Sequence, residues 1–278
     1  MTGSDARVST GRTGQIAWWT TGAEPRLVLL HGFTDDAECW TPVLAALAGL
    51  GDALAIDARG HGDSGLPDGP VGPAPQAADV TAVLDDLRVR HQVVLVGHSM
   101  GAVTAAHVAL DRPDLVSALV LEDPPPNMYG DAEPRGVPDW LSATRRLSRD
   151  ARIAACRLEN PAWPSDELAP WAASKERFNV DFCARAMVPA PPLAQILAGT
   201  NCPVLLLHGA PDRGGMVAPA DVADLRAAAS DRLSAVLVAE AGHSVRRDAR
   251  GTYAAALHTW LRQIGSPDRS RSSEISEA

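Results

Sequence analysis

The chain has 278 residues, 46% of them apolar, and a formal net charge of −9. That apolar fraction builds one sizeable core and fits a single domain carrying an insertion better than two independent domains. The acidic balance, with no Lys/Arg-rich run, argues against nucleic acid and against an anionic membrane, since both select a positive footprint.

The first residues, Met1 to Arg7, lack the basic segment and apolar run of a secretory signal. No later stretch approaches the ~20 apolar residues of a membrane span, so the expected compartment is the cytoplasm. Cys39, Cys156, Cys183 and Cys202 lie far apart without a C-x-x-C pair, which gives neither a metal knuckle nor a disulfide framework. They read as small buried apolar residues, with Cys39 in a loop near the functional site.

In chain order, residues 27–30, 53–56, 93–96, 119–121, 204–207 and 236–238 are short apolar runs without clear alternation, the pattern of parallel strands buried on both faces. Stretches of helical length separate several of them, at 41–50, 74–90, 103–110 and 219–229, and 253–264 forms a closing helix. Strand alternating with helix predicts a doubly wound α/β fold. The rhythm breaks over 124–198, where Pro124-Pro125-Pro126, Trp140, Trp163 and Trp171 replace the strand runs. A structureless loop of that length is uncommon and three tryptophans need cover, so the segment is expected to be a helical cap inserted in a core of 1–123 and 199–265. Residues 266–278 are rich in Ser, Arg, Glu and Asp and read as a disordered tail.

The strongest local signal is Gly97-His98-Ser99-Met100-Gly101, directly after the run 93–96 and directly before a small-residue helix. In a strand-to-helix elbow of this kind the serine sits on a strained turn, which makes Ser99 the candidate nucleophile. A serine hydroxyl needs a base, and Gly242-His243-Ser244 supplies one on a loop after the last strand, at the same carboxyl edge of the sheet. His31-Gly32-Phe33 follows the strand 27–30, so the Phe33 amide can pair with that of Met100 as an oxyanion hole.

Taken together with Asp57-Ala58-Arg59-Gly60-His61-Gly62-Asp63-Ser64-Gly65, these motifs, in this order, resemble the signatures of the α/β-hydrolase superfamily over roughly residues 14–264. The resemblance implies an eight-stranded, mostly parallel sheet flanked by helices, a cap over the site, and acyl-enzyme chemistry on an ester, lactone, thioester or amide. It also makes 57–65 a loop-shaping segment. No cofactor and no metal is expected, and the partner is a small-molecule substrate.

Two aspartates compete for the acid that orients His243. Asp212 ends Gly209-Ala210-Pro211-Asp212 after the strand 204–207, which resembles the commoner placement, but Arg213-Gly214-Gly215 lengthens the loop behind it. Asp123 ends the strand 119–121, 24 residues past Ser99, and resembles the earlier placement. Asp123 is put first and Asp212 kept as the alternative. The same constellation also serves carbon–carbon bond hydrolysis, perhydrolysis and lyase chemistry, and a non-catalytic ligand receptor is a third class. Trp140, Trp163, Trp171, Phe178 and Phe182 either line a substrate pocket or form the cap's own core.

Overall fold

The computed structural model describes residues 9–127 and 133–265; the expected tail and the first residues lie outside that range. Eight strands form one sheet: β1 (Ser9–Thr13), β2 (Ile16–Thr20), β3 (Pro25–Leu30), β4 (Asp52–Ile56), β5 (Val93–His98), β6 (Val116–Glu122), β7 (Val204–Gly209) and β8 (Leu233–Val238). Their order is β1-β2-β4-β3-β5-β6-β7-β8, with β1 and β2 antiparallel and every pair from β4 onward parallel.

Nine α-helices are described: α1 (Pro73–Asp86), α2 (Met100–Asp111), α3 (Asp139–Arg146), α4 (Arg149–Glu159), α5 (Ser165–Arg177), α6 (Leu193–Ala198), α7 (Pro219–Ala229), α8 (Val245–Asp248) and α9 (Arg250–Gly265). The period-2 pleat of β3 divides its side chains between two cores. Val28 and Leu30 face one with Val103, Leu119 and Ile196, while Leu27 and Leu29 face the other with Trp40, Tyr253 and Trp260. Both faces are therefore covered by apolar side chains, as the runs in the sequence require.

Two elements differ from expectation. The stretch 41–50 is a 3-10 helix spanning Ala37–Leu47, and Pro42 inside it has no N–H to give to an α ladder. The hairpin of β1 and β2 precedes the first apolar run; β1 is polar and largely exposed, so hydropathy does not mark it.

Helices α3 to α5 all lie in the segment between β6 and β7. Helix α5 packs on the 3-10 helix after β3, whereas α6 packs on α2 and α7 and buries Leu193, Ile196 and Leu197 in the sheet's own core. Residues 193–198, grouped by sequence with the insertion, thus pack with the body.

Candidate active site

Three strand ends converge at the carboxyl edge of the sheet. β5 runs into Ser99, whose backbone sits at φ 51° and ψ −117°, left-handed and costly for an L-residue. The turn survives because its surroundings leave no alternative. A Cβ on Gly97 would fall 2.3 Å from the Gly101 carbonyl oxygen, and one on Gly101 would fall 2.2 Å from that of Leu30. The Ser99 amide donates to the Glu122 carbonyl at 2.9 Å, pinning the elbow to β6. Helix α2 then starts at Met100, and its residues 100–109 are all buried, the alanines letting it lie close against β5 and β6.

Asp123 follows β6 directly and is another non-glycine residue with positive φ, 41°. Its carboxylate is fully buried and saturated with donors. Oδ1 accepts from the Gly209 amide at 3.2 Å; Oδ2 accepts from the Met216 amide at 2.8 Å and from His243 Nδ1 at 2.7 Å. The lengthened Arg213-Gly214-Gly215 turn contributes here. Gly215 N donates to the Ala210 carbonyl at 3.0 Å, folding the loop back so that the next amide but one from Gly214, that of Met216, reaches Asp123. Asp212 lies exposed in a one-turn 3-10 helix, Pro211–Arg213.

With Nδ1 bonded to Asp123, the other ring nitrogen of His243 is left for a partner. Ser99 and His243 line one cavity of about 330 Å³ together with Phe33, Met100, Trp140 and Phe182. Among the described residues neither the Phe33 amide nor the Met100 amide has a hydrogen-bond acceptor. Met100 is the first residue of α2, so its N–H stands at the positive end of the helix dipole.

Two histidines inside the sequence motifs have supporting roles that the motifs alone do not disclose. His98 Nε2 lies 3.0 Å from the His243 carbonyl; burial holds the His98 ring well below the usual imidazole range, so it is neutral and donates from Nε2. His31 is held low in the same way, by burial. It accepts the Ala58 amide on Nε2 at 2.9 Å and donates Nδ1–H to the Gly32 carbonyl at 2.9 Å, tying the loops after β3 and β4 together.

A buried charge cluster links these loops to α5 and α8. Asp35 accepts from Lys175 at 3.0 Å, from Arg247 at 2.9 Å and from Arg246 at 3.4 Å. Arg246 also binds Glu122 through its side chain at 3.0 Å and its amide at 2.8 Å, and Arg247 reaches Glu167 at 3.3 Å. Burial alone would raise Asp35, but Arg247, Lys175 and Arg246 outweigh it and hold the carboxyl well below its ordinary value. Arg246 stacks on Trp40 at 4.4 Å and Arg247 on Trp163 at 4.8 Å. Trp163 and Trp171 thus stand beside this cluster, while Phe182 and the exposed Trp140 line the cavity. Cys39 is buried in the 3-10 helix, and all four cysteines are free.

The profile of the α/β hydrolase family matches residues 27–256. The chain belongs to the α/β-hydrolase family. Among curated relatives it is 30% identical to an esterase of Mycobacterium tuberculosis, over 87% of this chain and 84% of that protein. It is also 30% identical to the N-formylmaleamate deformylase of Pseudomonas putida, over 84% of this chain and 88% of the relative. Among solved structures, an E-2-(acetamidomethylene)succinate hydrolase superposes with a TM-score of 0.68 at 22% identity, covering 91% of this chain and 98% of the other. At that identity the superposition speaks for the fold. The α/β-hydrolase chain is an enzyme, a hydrolase like its relatives, and among its described residues no helix is long and apolar enough to cross a membrane.

Proposed function

We propose that the protein is a serine hydrolase that cleaves an ester, lactone, thioester or amide bond of a small molecule through an acyl-enzyme. Ser99 attacks the carbonyl carbon while His243 takes the hydroxyl proton, and the Phe33 and Met100 amides receive the oxyanion. Asp123 holds His243 in the tautomer that presents its other nitrogen to Ser99 and stabilises the imidazolium. His243 then returns the proton to the leaving group, and water, activated by the same ring, releases the acid and restores Ser99. Residues 124–198 act as a cap over the cavity, with α6 at their end anchored on the body. The four free cysteines suit a reducing compartment, and a cytoplasmic site of action belongs to the same reading.

The observation that carries this reading is the 2.7 Å bond from His243 to the buried Asp123, in a ring that shares its cavity with a left-handed Ser99. The names of the relatives, esterase and deformylase, add support for an acyl substrate. A fluorophosphonate probe is expected to label the wild type and not Ser99→Ala, and Ser99→Ala is expected to lose ~10⁴-fold or more in kcat on 4-nitrophenyl esters. A folded Ser99→Ala protein that keeps most of its turnover overturns the acyl-enzyme. Labelling at Ser99 without ester turnover directs attention to carbon–carbon bond hydrolysis, perhydrolysis or a lyase reaction at the same site.

A further inference from the structure

The cavity that holds Ser99 and His243 measures about 330 Å³, and most of its wall is apolar, built from Phe33, Met100, Trp140, Phe182, Met187 and Met216. Gln76 reaches the same cavity from the first turn of α1, and the residue is only 2% exposed. Its Oε1 accepts the Thr104 hydroxyl at 2.8 Å, closer than that hydroxyl stands to the Met100 carbonyl, 3.0 Å. The amide nitrogen is thereby turned to Met100 Sγ, at 3.2 Å. A primary amide nitrogen carries two hydrogens, and a thioether is a weak acceptor. Among the described residues no oxygen or nitrogen accepts from Nε2. Gln76 thus holds a fixed and underused donor in a mainly apolar wall, and a buried donor in that state favours a ligand that brings a better acceptor.

His243 returns its proton to the leaving group, so that group lies on the His243 side and the acyl chain diverges from it. Gln76 sits against Met100, the residue whose amide faces the oxyanion, and Gly72 and Met187 line the cavity beside it. Their segments are joined there, the Val71 amide donating to the Ala186 carbonyl at 2.9 Å and the Val188 amide to that of Val71 at 2.8 Å. From this we infer that the acyl group of the substrate is a chain with an acceptor oxygen, a ketone or an ether, several bonds beyond the scissile carbonyl, received by Gln76 Nε2 while the apolar wall holds the carbons around it. An all-methylene chain drives water from the amide and returns nothing, whereas an oxygen at the right position pairs it and fixes where the carbonyl comes to rest. This inference rests on the acyl-enzyme reading of the site and narrows it.

The test uses 4-nitrophenyl esters of straight-chain acids of about six to ten carbons, a length suited to a cavity roughly twice the size of one that takes a benzene ring. Each is paired with esters in which one methylene, three or more bonds from the carbonyl, is replaced by a ketone or an ether oxygen, and the rates with hydroxide are divided out. For at least one pair in the wild type kcat/KM is expected to favour the oxygenated chain by about five- to tenfold. In Gln76→Leu and Gln76→Met, which keep an apolar side chain of similar size and leave Thr104 its bond to the Met100 carbonyl, the ratio is expected to fall to about parity or below, since the oxygen is then buried without a donor. Because the ratio is read within each variant, a general loss of activity cancels, and a Gln76 that merely braces α1 against α2 would leave it unchanged. Methyl esters of the same acids titrated calorimetrically into Ser99→Ala give a ratio of Kd values that needs no turnover, which separates failure of this inference from failure of the acyl-enzyme. No oxygenated chain preferred by the wild type, or a preference that survives both substitutions, overturns it.

Discussion

Asp123 spends its burial on three donors, two amides and an imidazole, and its left-handed backbone is held by strands on both sides. Replacing it by Asn keeps the shape but puts an N–H where an acceptor is needed, which favours the wrong His243 tautomer. Asp123→Asn is expected to lower kcat by up to ~10⁴ with KM little changed, and Asp212→Asn, on the exposed turn, to leave kcat near wild type. Melting curves on both separate lost chemistry from lost fold; a crippled Asp212→Asn beside an active Asp123→Asn would reverse the assignment. Asp57 offers a second test, through pH. Its carboxylate accepts the Ala37 amide at 2.7 Å and the Asp63 amide at 2.8 Å, yet burial pushes its pKa up to about 6. The native state therefore holds this proton more tightly than the unfolded chain does, and stability falls as pH rises through the window from about 4 to 6. Denaturant titrations are expected to show wild type losing up to about 3 kcal/mol relative to Asp57→Asn across that window, with a flat difference above it. Wild type gaining stability over Asp57→Asn as pH rises through the window would mean the amides, not burial, dominate.

At the scale of elements, what the sequence disclosed follows burial. The strands β3 to β7 stood out because double-sided cover demands unbroken apolar runs, and the elbow stood out because Gly97 and Gly101 are demanded by backbone contacts. The catalytic candidates were legible as motifs at strand ends. The β1–β2 hairpin, the 3-10 helix and the charge cluster were not. Nothing local in the sequence marks Arg246 and Arg247, because their partners Asp35, Glu122 and Glu167 lie far away in the chain. The choice between Asp123 and Asp212 likewise turned on how a glycine-rich loop folds back, which spacing alone does not fix. The cluster makes its own prediction. Asp35→Ala leaves Lys175 and Arg247 short of a buried counter-charge and is expected to cost about 3–5 kcal/mol. For a chain of this size that lowers Tm by roughly 10 °C. Unchanged melting would show that Glu167 and Glu122 balance the cations alone.

For the molecule as a whole, α5 is tied to the body by buried ionic contacts as well as by apolar packing, since Lys175 reaches Asp35 and the Thr34 carbonyl at 3.1 Å while Glu167 reaches Arg247. Sheet and cap segment are therefore expected to unfold together. Tryptophan emission, which includes Trp163 and Trp171, and far-ultraviolet dichroism, dominated by strands and helices of the body, are expected to give coincident transitions. Two separated transitions would mean that the contacts across the junction are dispensable.

The same junction constrains how this enzyme can be remodelled. A foreign cap grafted between β6 and β7 would leave Asp35 and Arg247 facing apolar surface unless it brought its own ammonium at the position of Lys175 and its own carboxylate at that of Glu167. Loop exchange for new selectivity in this scaffold thus carries a hidden two-residue passport, distant from any substrate, and grafts that lack it are expected to appear as insoluble protein before their activity can be asked about.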